Sequence, residues 1–202
     1  MNARSRFACL ALCLVAAGPF AAAGASRAAD SSEGPVILVA KPALRDFLYG
    51  ATILIAKPLD NGRHIGLIVN RPTRVTLGKL FPDHGPSQKV TDPLYLGGPV
   101  NTETIFALVQ RGDNPGKRSV QIAPDLFLAH DREIVDRIIE SEAGNARFFA
   151  GLVLWRPNEL RTEIDRGFWY VLDADVELVL RKSTEGLWEE LVKRSEMKAR
   201  AI

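Results

Sequence analysis

Residues 66–73 read GLIVNRPT: an apolar run that stops on an amide, a guanidinium and a proline. Arg71 carries a planar fork of N–H donors matched to carboxylate or phosphate oxygens. Some twenty-five residues later, Gly97-Gly98-Pro99 supplies backbone N–H groups with no side chain in front of them, the arrangement that forms anion-binding nests. If the two strand ends adjoin, Asn70, Arg71, Gly97, Gly98 and Pro99 form one candidate site, suited to a small anion or a protein partner. An architectural use of the same residues competes with this. Pro72 drives Arg71 extended, Asn70 can bond nearby backbone, and Arg71 can bond internal carbonyls or an acid such as Glu163, locking a curved sheet.

The chain has three histidines, His64, His84 and His130. His84 follows Asp83 in a polar loop, and His130 precedes Asp131 at a helix start. Either could act as the base of a hydrolase-type enzyme assembled in space from distant residues. They are too few and too scattered for a recognisable metal triad, and no His-Glu-x-x-His occurs. Asp173-x-Asp175-x-Glu177 lacks the glycine and length of an EF-hand loop and reads as a turn with helix-capping aspartates. No Gly-x-Ser-x-Gly elbow, P-loop or Gly-x-Gly-x-x-Gly is present in the mature chain. The sequence therefore names no catalytic residue, no metal and no cofactor.

Compartment follows from the first thirty residues. Arg4 and Arg6 precede an uncharged apolar run, Phe7–Phe20, and a small-residue tract follows it. Basic, apolar and small segments in that order predict a secretory signal peptide over residues 1–28, cleaved after Ala25 or Ala28. The apolar run is short of the ~20 residues of a spanning helix. The expected destination is the periplasm or the exterior. Both cysteines, Cys9 and Cys13, fall inside this leader, so the mature chain has no disulfide, thiolate nucleophile or cysteine-held zinc. Of 26 Lys and Arg, the leader holds Arg4, Arg6 and Arg27, leaving 23 against 24 Asp and Glu. A near-neutral domain without a basic face argues against nucleic acid as partner.

The elements that must position the candidate residues read as follows. Val36–Ala40 and Ala51–Ala56 are short β-branched runs closed by Lys-Pro pairs, and Asp60-Asn61-Gly62 turns the chain into a returning strand, His64–Asn70. Leu77–Phe81 reads as a helical turn and residues 82–93 as an open polar loop. Ile105–Gln110 and Ser119–Ala123 flank a Gly-Asp-Asn-Pro-Gly turn as a second hairpin. Residues 131–142 place Ile134, Val135, Ile138 and Ile139 at helical spacing. Phe148–Trp155 reads as a central strand, Pro157–Arg166 as a helix capped by Gly167, Phe168–Leu172 as a strand, and Val176–Leu180 as strand or helix. A last helix carries Leu187, Trp188, Leu191 and Val192. No repeat or linker interrupts residues 34–202, which read as one α+β domain.

The order GPVILVAKPAL, HIGLIVNRPT, LYLGGPV and FFAGLVLWRPNELRTEIDRGFWYV resembles the YqgE/AlgH family across most of residues 34–175. The resemblance implies an α+β fold whose strongly curved, split mixed sheet forms a pseudo-barrel with flanking helices. Family members are generally leaderless, and the family's Gly-Trp-x-Pro-Gly-Gln turn is replaced here within Val153–Glu159. The family carries a regulatory label without an established molecular activity. The expectation is thus an exported, non-enzymatic binding or regulatory protein. A His-dependent hydrolase is the first alternative, and a transcriptional regulator, on the family label alone, the second.

Overall fold

The computed structural model describes residues 34–200; the expected leader and both cleavage points lie outside them. Alternation sorts the strand residues into cores. In β1 (Val36–Ala40) Ile37 and Val39 enter one core while Leu38 and Ala40 enter another, and all four are fully buried. β2 (Ile53–Pro58) and β3 (His64–Ile68) form the expected hairpin, with Asn61 and Gly62 at φ 63° and 71° in the turn. β2 begins at Ile53 and not at Ala51, because Ala51 is left-handed at φ 54°.

β4 (Pro72–Thr76) pairs with β5 (Pro93–Leu96). The stretch between them is more ordered than an open loop. It holds two short helices, α1 (Leu77–Leu80) and α2 (Gly85–Gln88), clamped by the Gln88 amide, which donates to the carbonyls of Gly78, Phe81 and Pro82.

β6 (Val100–Gln110) does not form a hairpin with β7 (Ser119–Ala123). β8 (Leu126–Ala129) lies between them, with Leu128 opposite both Leu108 and Val120. The short turn at Pro124-Asp125 closes sooner than the longer link 111–118, and it buries all four residues of Leu126–Ala129.

α3 (Arg132–Ser141) is capped by Asp131, whose carboxylate accepts from Glu133 N at 3.2 Å. β9 (Ala146–Trp155) follows and is central as expected. It pairs with β6 and β5 through its first half and with β3 through its last three residues. α4 (Glu159–Asp165) starts two residues after Pro157, since Asn158 takes φ 66°, a left-handed turn before the first helical residue. β10 (Trp169–Asp173) pairs with β1. α5 (Val176–Leu180) resolves the remaining ambiguity as helix, and α6 (Leu187–Arg200) closes the described chain.

The sheet runs β10-β1-β2-β3-β9-β6-β8-β7, with β5 and β4 branching from β9. Among the described strands only the β5–β9 pair is parallel. This mixed, strongly curled sheet makes a half-barrel, the α+β architecture the landmarks implied. Its branch point is steric. A Cβ on Gly97 would lie 2.3 Å from Gly151 O, and one on Gly151 would lie 2.3 Å from Gly98 O, so three glycines let two backbones cross where no methyl fits.

Three cores result. The concave face, with Ile55, Leu67, Tyr95, Leu108 and Phe149, is covered by α5 and α6 through Val179, Leu187 and Leu191. α3 lays Ile134, Val135, Ile138 and Ile139 on the outside of β6, β8 and β9. The third packs Leu160 of α4 against Leu38, Leu54, Trp155 and Trp169. Burying each such aliphatic side chain contributes about 2 kcal/mol.

Candidate functional site

The two strand ends singled out in the sequence do adjoin. Leu96 N donates to Arg71 O at 2.9 Å, and Ile68 N donates to Gly97 O at 2.8 Å. The side chains of Asn70 and Arg71 turn to the chain's own backbone. Asn70 Oδ1 accepts from Ile53 N at 2.8 Å, its Nδ2 donates to Ala51 O at 3.0 Å, and Arg71 Nη2 donates to Gly50 O at 2.9 Å. Together they hold the loop that carries the left-handed Ala51 into β2. Gly97 N donates to Ala150 O at 2.9 Å, Gly97 and Gly98 are buried, and Pro99 is exposed. Glu163, the acid considered for Arg71, instead accepts from both indoles Trp155 Nε1 and Trp169 Nε1, at 3.2 and 2.9 Å.

Below this lip lies a group that sequence reading missed. Arg147 is 2 % exposed. It donates to the carbonyls of Val179 and Val69, and its guanidinium carbon stands 3.8 Å from the centre of the Tyr95 ring. Burial pushes its pKa down, opposed by the Tyr95 hydroxyl and Asp92. Its Nε has no partner among the described residues. The signal in the sequence was an arginine second in the strand ARFFAGLVLW, flanked by residues that are all apolar. A cation in such a run is either a strand end or an internal tie between neighbouring elements; here it ties the end of β3 to α5.

The histidines behave differently. His84 and His130 come from distant parts of the sequence and line one cleft of about 480 Å³. His84 sits before α2, and His130 follows β8. Ile105 and Glu103 of β6 and Arg132, Val135, Asp136 and Ile139 of α3 complete the walls, with Phe81 at the mouth. The floor is apolar and the rim carries both signs of charge. His84 Nδ1 is 2.7 Å from Ser87 Oγ, and its Nε2 is 3.9 Å from Glu140 Oε1. The His130 ring lies 6.1 Å from the Phe106 ring. Among the described residues no cluster of three metal-ligating side chains forms. His64 is elsewhere, on β3 opposite Trp155, and burial lowers its pKa.

A family model described as AlgH-like matches residues 37–200. A UPF0301 protein of Thermobifida fusca is 30 % identical over 168 residues, covering 78 % of this chain and 84 % of the relative. One from Chlorobaculum tepidum is 29 % identical over 160 residues, covering 78 % and 83 %. Two solved structures share the fold, each with a TM-score of 0.65 and 21 % identity. The solution structure of the AlgH protein from Pseudomonas aeruginosa is matched over 82 % of this chain and 91 % of that one. The crystal structure of protein DIP2367 from Corynebacterium diphtheriae is matched over 82 % and 87 %.

Proposed function

The chain belongs to the AlgH-like family, and from that footing we propose that it is an exported, non-enzymatic binding protein whose ligand cleft lies between His84 and His130. Export rests on the basic, apolar and small segments of residues 1–28; among the described residues no helix is long and apolar enough to cross a membrane. The observation that carries the binding reading is the contrast in how polar groups are used. At the Asn70–Arg71 lip the side chains bond the protein's own backbone. In the cleft, His84 meets Ser87 and Arg132 pairs loosely with Asp136 at 3.8 Å, but no backbone group of the described residues consumes either side chain, and with His130 they line an apolar-floored cavity. A concave apolar floor with a few polar groups at its rim is the ordinary form of a small-molecule site. The ligand that fits is a small molecule with an apolar body, resting on Ile105, Val135 and Ile139, and a polar or anionic head toward the histidines and Arg132. The lip remains a secondary anion site, through the guanidinium donors of Arg71 not engaged by Gly50.

The chain provides its own reporter, since it has three histidines and only two lie in the cleft. Titration with phenylacetate, followed by imidazole NMR resonances, is expected to shift His84 and His130 and leave His64 in place. Equal shifts at all three, or none, would sink the reading.

A second reading has one observation behind it. Ser87 Oγ, His84 Nδ1 and Glu140 stand in the order serine, imidazole, acid, which is the logic of an activated hydroxyl. Ser87 is fully buried, so this chemistry requires α2 to move. Turnover of p-nitrophenyl acetate that disappears in Ser87→Ala would establish the enzyme; turnover unchanged by that substitution excludes it.

A further inference from the structure

A second cavity, of about 530 Å³, opens on the opposite, α6 side of the fold, between the β10–α5 connection and α6. Its floor is apolar, from Ile37 of β1, its cross-strand partner Leu172 of β10, and Leu191 of α6. Its two polar walls carry opposite charge. Asp175 and Glu177 stand on one, and Arg194 and Lys198, one helical turn apart on α6, on the other. Among the described residues no ion pair of 4.0 Å or less joins these walls. Asp175 spends one carboxylate oxygen capping α5, accepting from Leu178 N at 3.0 Å.

Between the two basic residues sits Ser195. It is 6 % exposed, it belongs to the cavity wall, and its hydroxyl has no hydrogen-bond partner among the described residues. A serine within a helix ordinarily returns its hydroxyl to the carbonyl four residues back; this one does not. A buried hydroxyl left unpaired lowers stability, so its persistence on a cavity wall needs a reason outside the helix.

We propose that this cavity binds a small zwitterion of the amino-acid or dipeptide class. The ammonium group faces Asp175 and Glu177, the carboxylate faces Arg194 and Lys198 with Ser195 Oγ donating to it, and an apolar side chain rests on Ile37, Leu172 and Leu191. The opposite charge of the two walls selects this class. A simple anion would meet the acids, a simple cation the bases, and only a ligand carrying both charges at a distance satisfies both. The site is independent of the histidine cleft and shares no residue with it.

The test is calorimetric titration of the full chain with L-leucine, L-phenylalanine and glycyl-L-leucine, beside L-leucinamide and N-acetyl-L-leucine. At least one free zwitterion is expected to bind. Blocking either charged end is expected to weaken binding at least about tenfold, the scale of one charge-assisted hydrogen bond. Arg194→Ala and Glu177→Gln, both at exposed positions and compatible with folding, should each do the same. Ser195→Ala should weaken binding while raising the melting temperature, because it removes an unpaired hydroxyl. Binding of none of the three zwitterions, or equal binding of leucine and its blocked forms, overturns the proposal. So does a variant set in which only Ser195→Ala has an effect.

Discussion

The Asn70–Arg71 lip and the His84–His130 cleft are both places where polar side chains gather at the ends of strands, yet they do opposite things with them. At the lip, an amide and a guanidinium make three bonds to the backbone of residues 50–53. In the cleft, imidazoles and charged groups line open space above apolar residues. A conspicuous motif in one stretch of chain is therefore weak evidence for a ligand, because local geometry can consume it. Groups that converge from three separate segments onto a cavity are stronger evidence, since no local bonding pattern needs them together.

Substitutions test that division, and the largest effect should come from beneath the lip. Arg147→Ala leaves the carbonyls of Val69 and Val179 without their donor and opens a void under Tyr95. A loss of about 4 kcal/mol is expected in denaturant unfolding. Arg147→Met fills the void and should recover part of it; equal stability of both variants and wild type would show the tie to be dispensable. Asn70→Ala removes two backbone bonds that hold the left-handed Ala51 and should cost about 2 kcal/mol. Arg71→Ala, at a half-buried position with one bond, should cost about 1 kcal/mol. Cleft substitutions should reverse the pattern: His130→Ala should change stability by no more than about 0.5 kcal/mol while abolishing the phenylacetate response. A His130 variant as damaging to stability as Asn70→Ala would erase the contrast.

The smallest effect concerns pH. His64 belongs to neither region, and burial holds its folded pKa below the ordinary 6.5, so the unfolded chain takes up its proton first. The stability it contributes is present above pH 6.5 and declines as pH falls from 6.5 through the lowered folded value. His64→Gln should flatten that part of a melting-temperature profile against pH; an unchanged slope would assign the acid sensitivity to other groups.

How far the sequence could be read varied with range. The Asp60-Asn61-Gly62 hairpin, the amphipathic pattern of α3 and the continuous apolar run of β9 were legible because each is written within about a dozen residues. β8 was not, since Leu126–Ala129 is short and the turn before it has no glycine. Missing it exchanged the neighbours of β7. β4 was hidden by its opening proline. Gly97-Gly98 read as an anion nest; the close backbone crossing that also requires these glycines is set by Gly151, more than fifty residues away, and only the folded branch point displays it. The cleft had no local signature at all: β8 pairing with β6 carries His130 beside Phe106, and α3 then brings its charged residues to the same mouth.

The sheet order has a consequence for the timing of assembly. β1, the first described strand, has β2 on one side and β10 on the other, and the concave core beneath it is closed by α5 and α6. A growing chain can therefore form its early hairpins but cannot finish them, because one edge of β1 waits for residues 169–173 and its inner face for residues 176–192. Completion depends on contacts of high sequence separation, which are slow to form. Until the last thirty or so residues emerge, that edge and the concave core stay open, and the N-terminal strand can still be drawn through a narrow channel without unpicking a finished sheet.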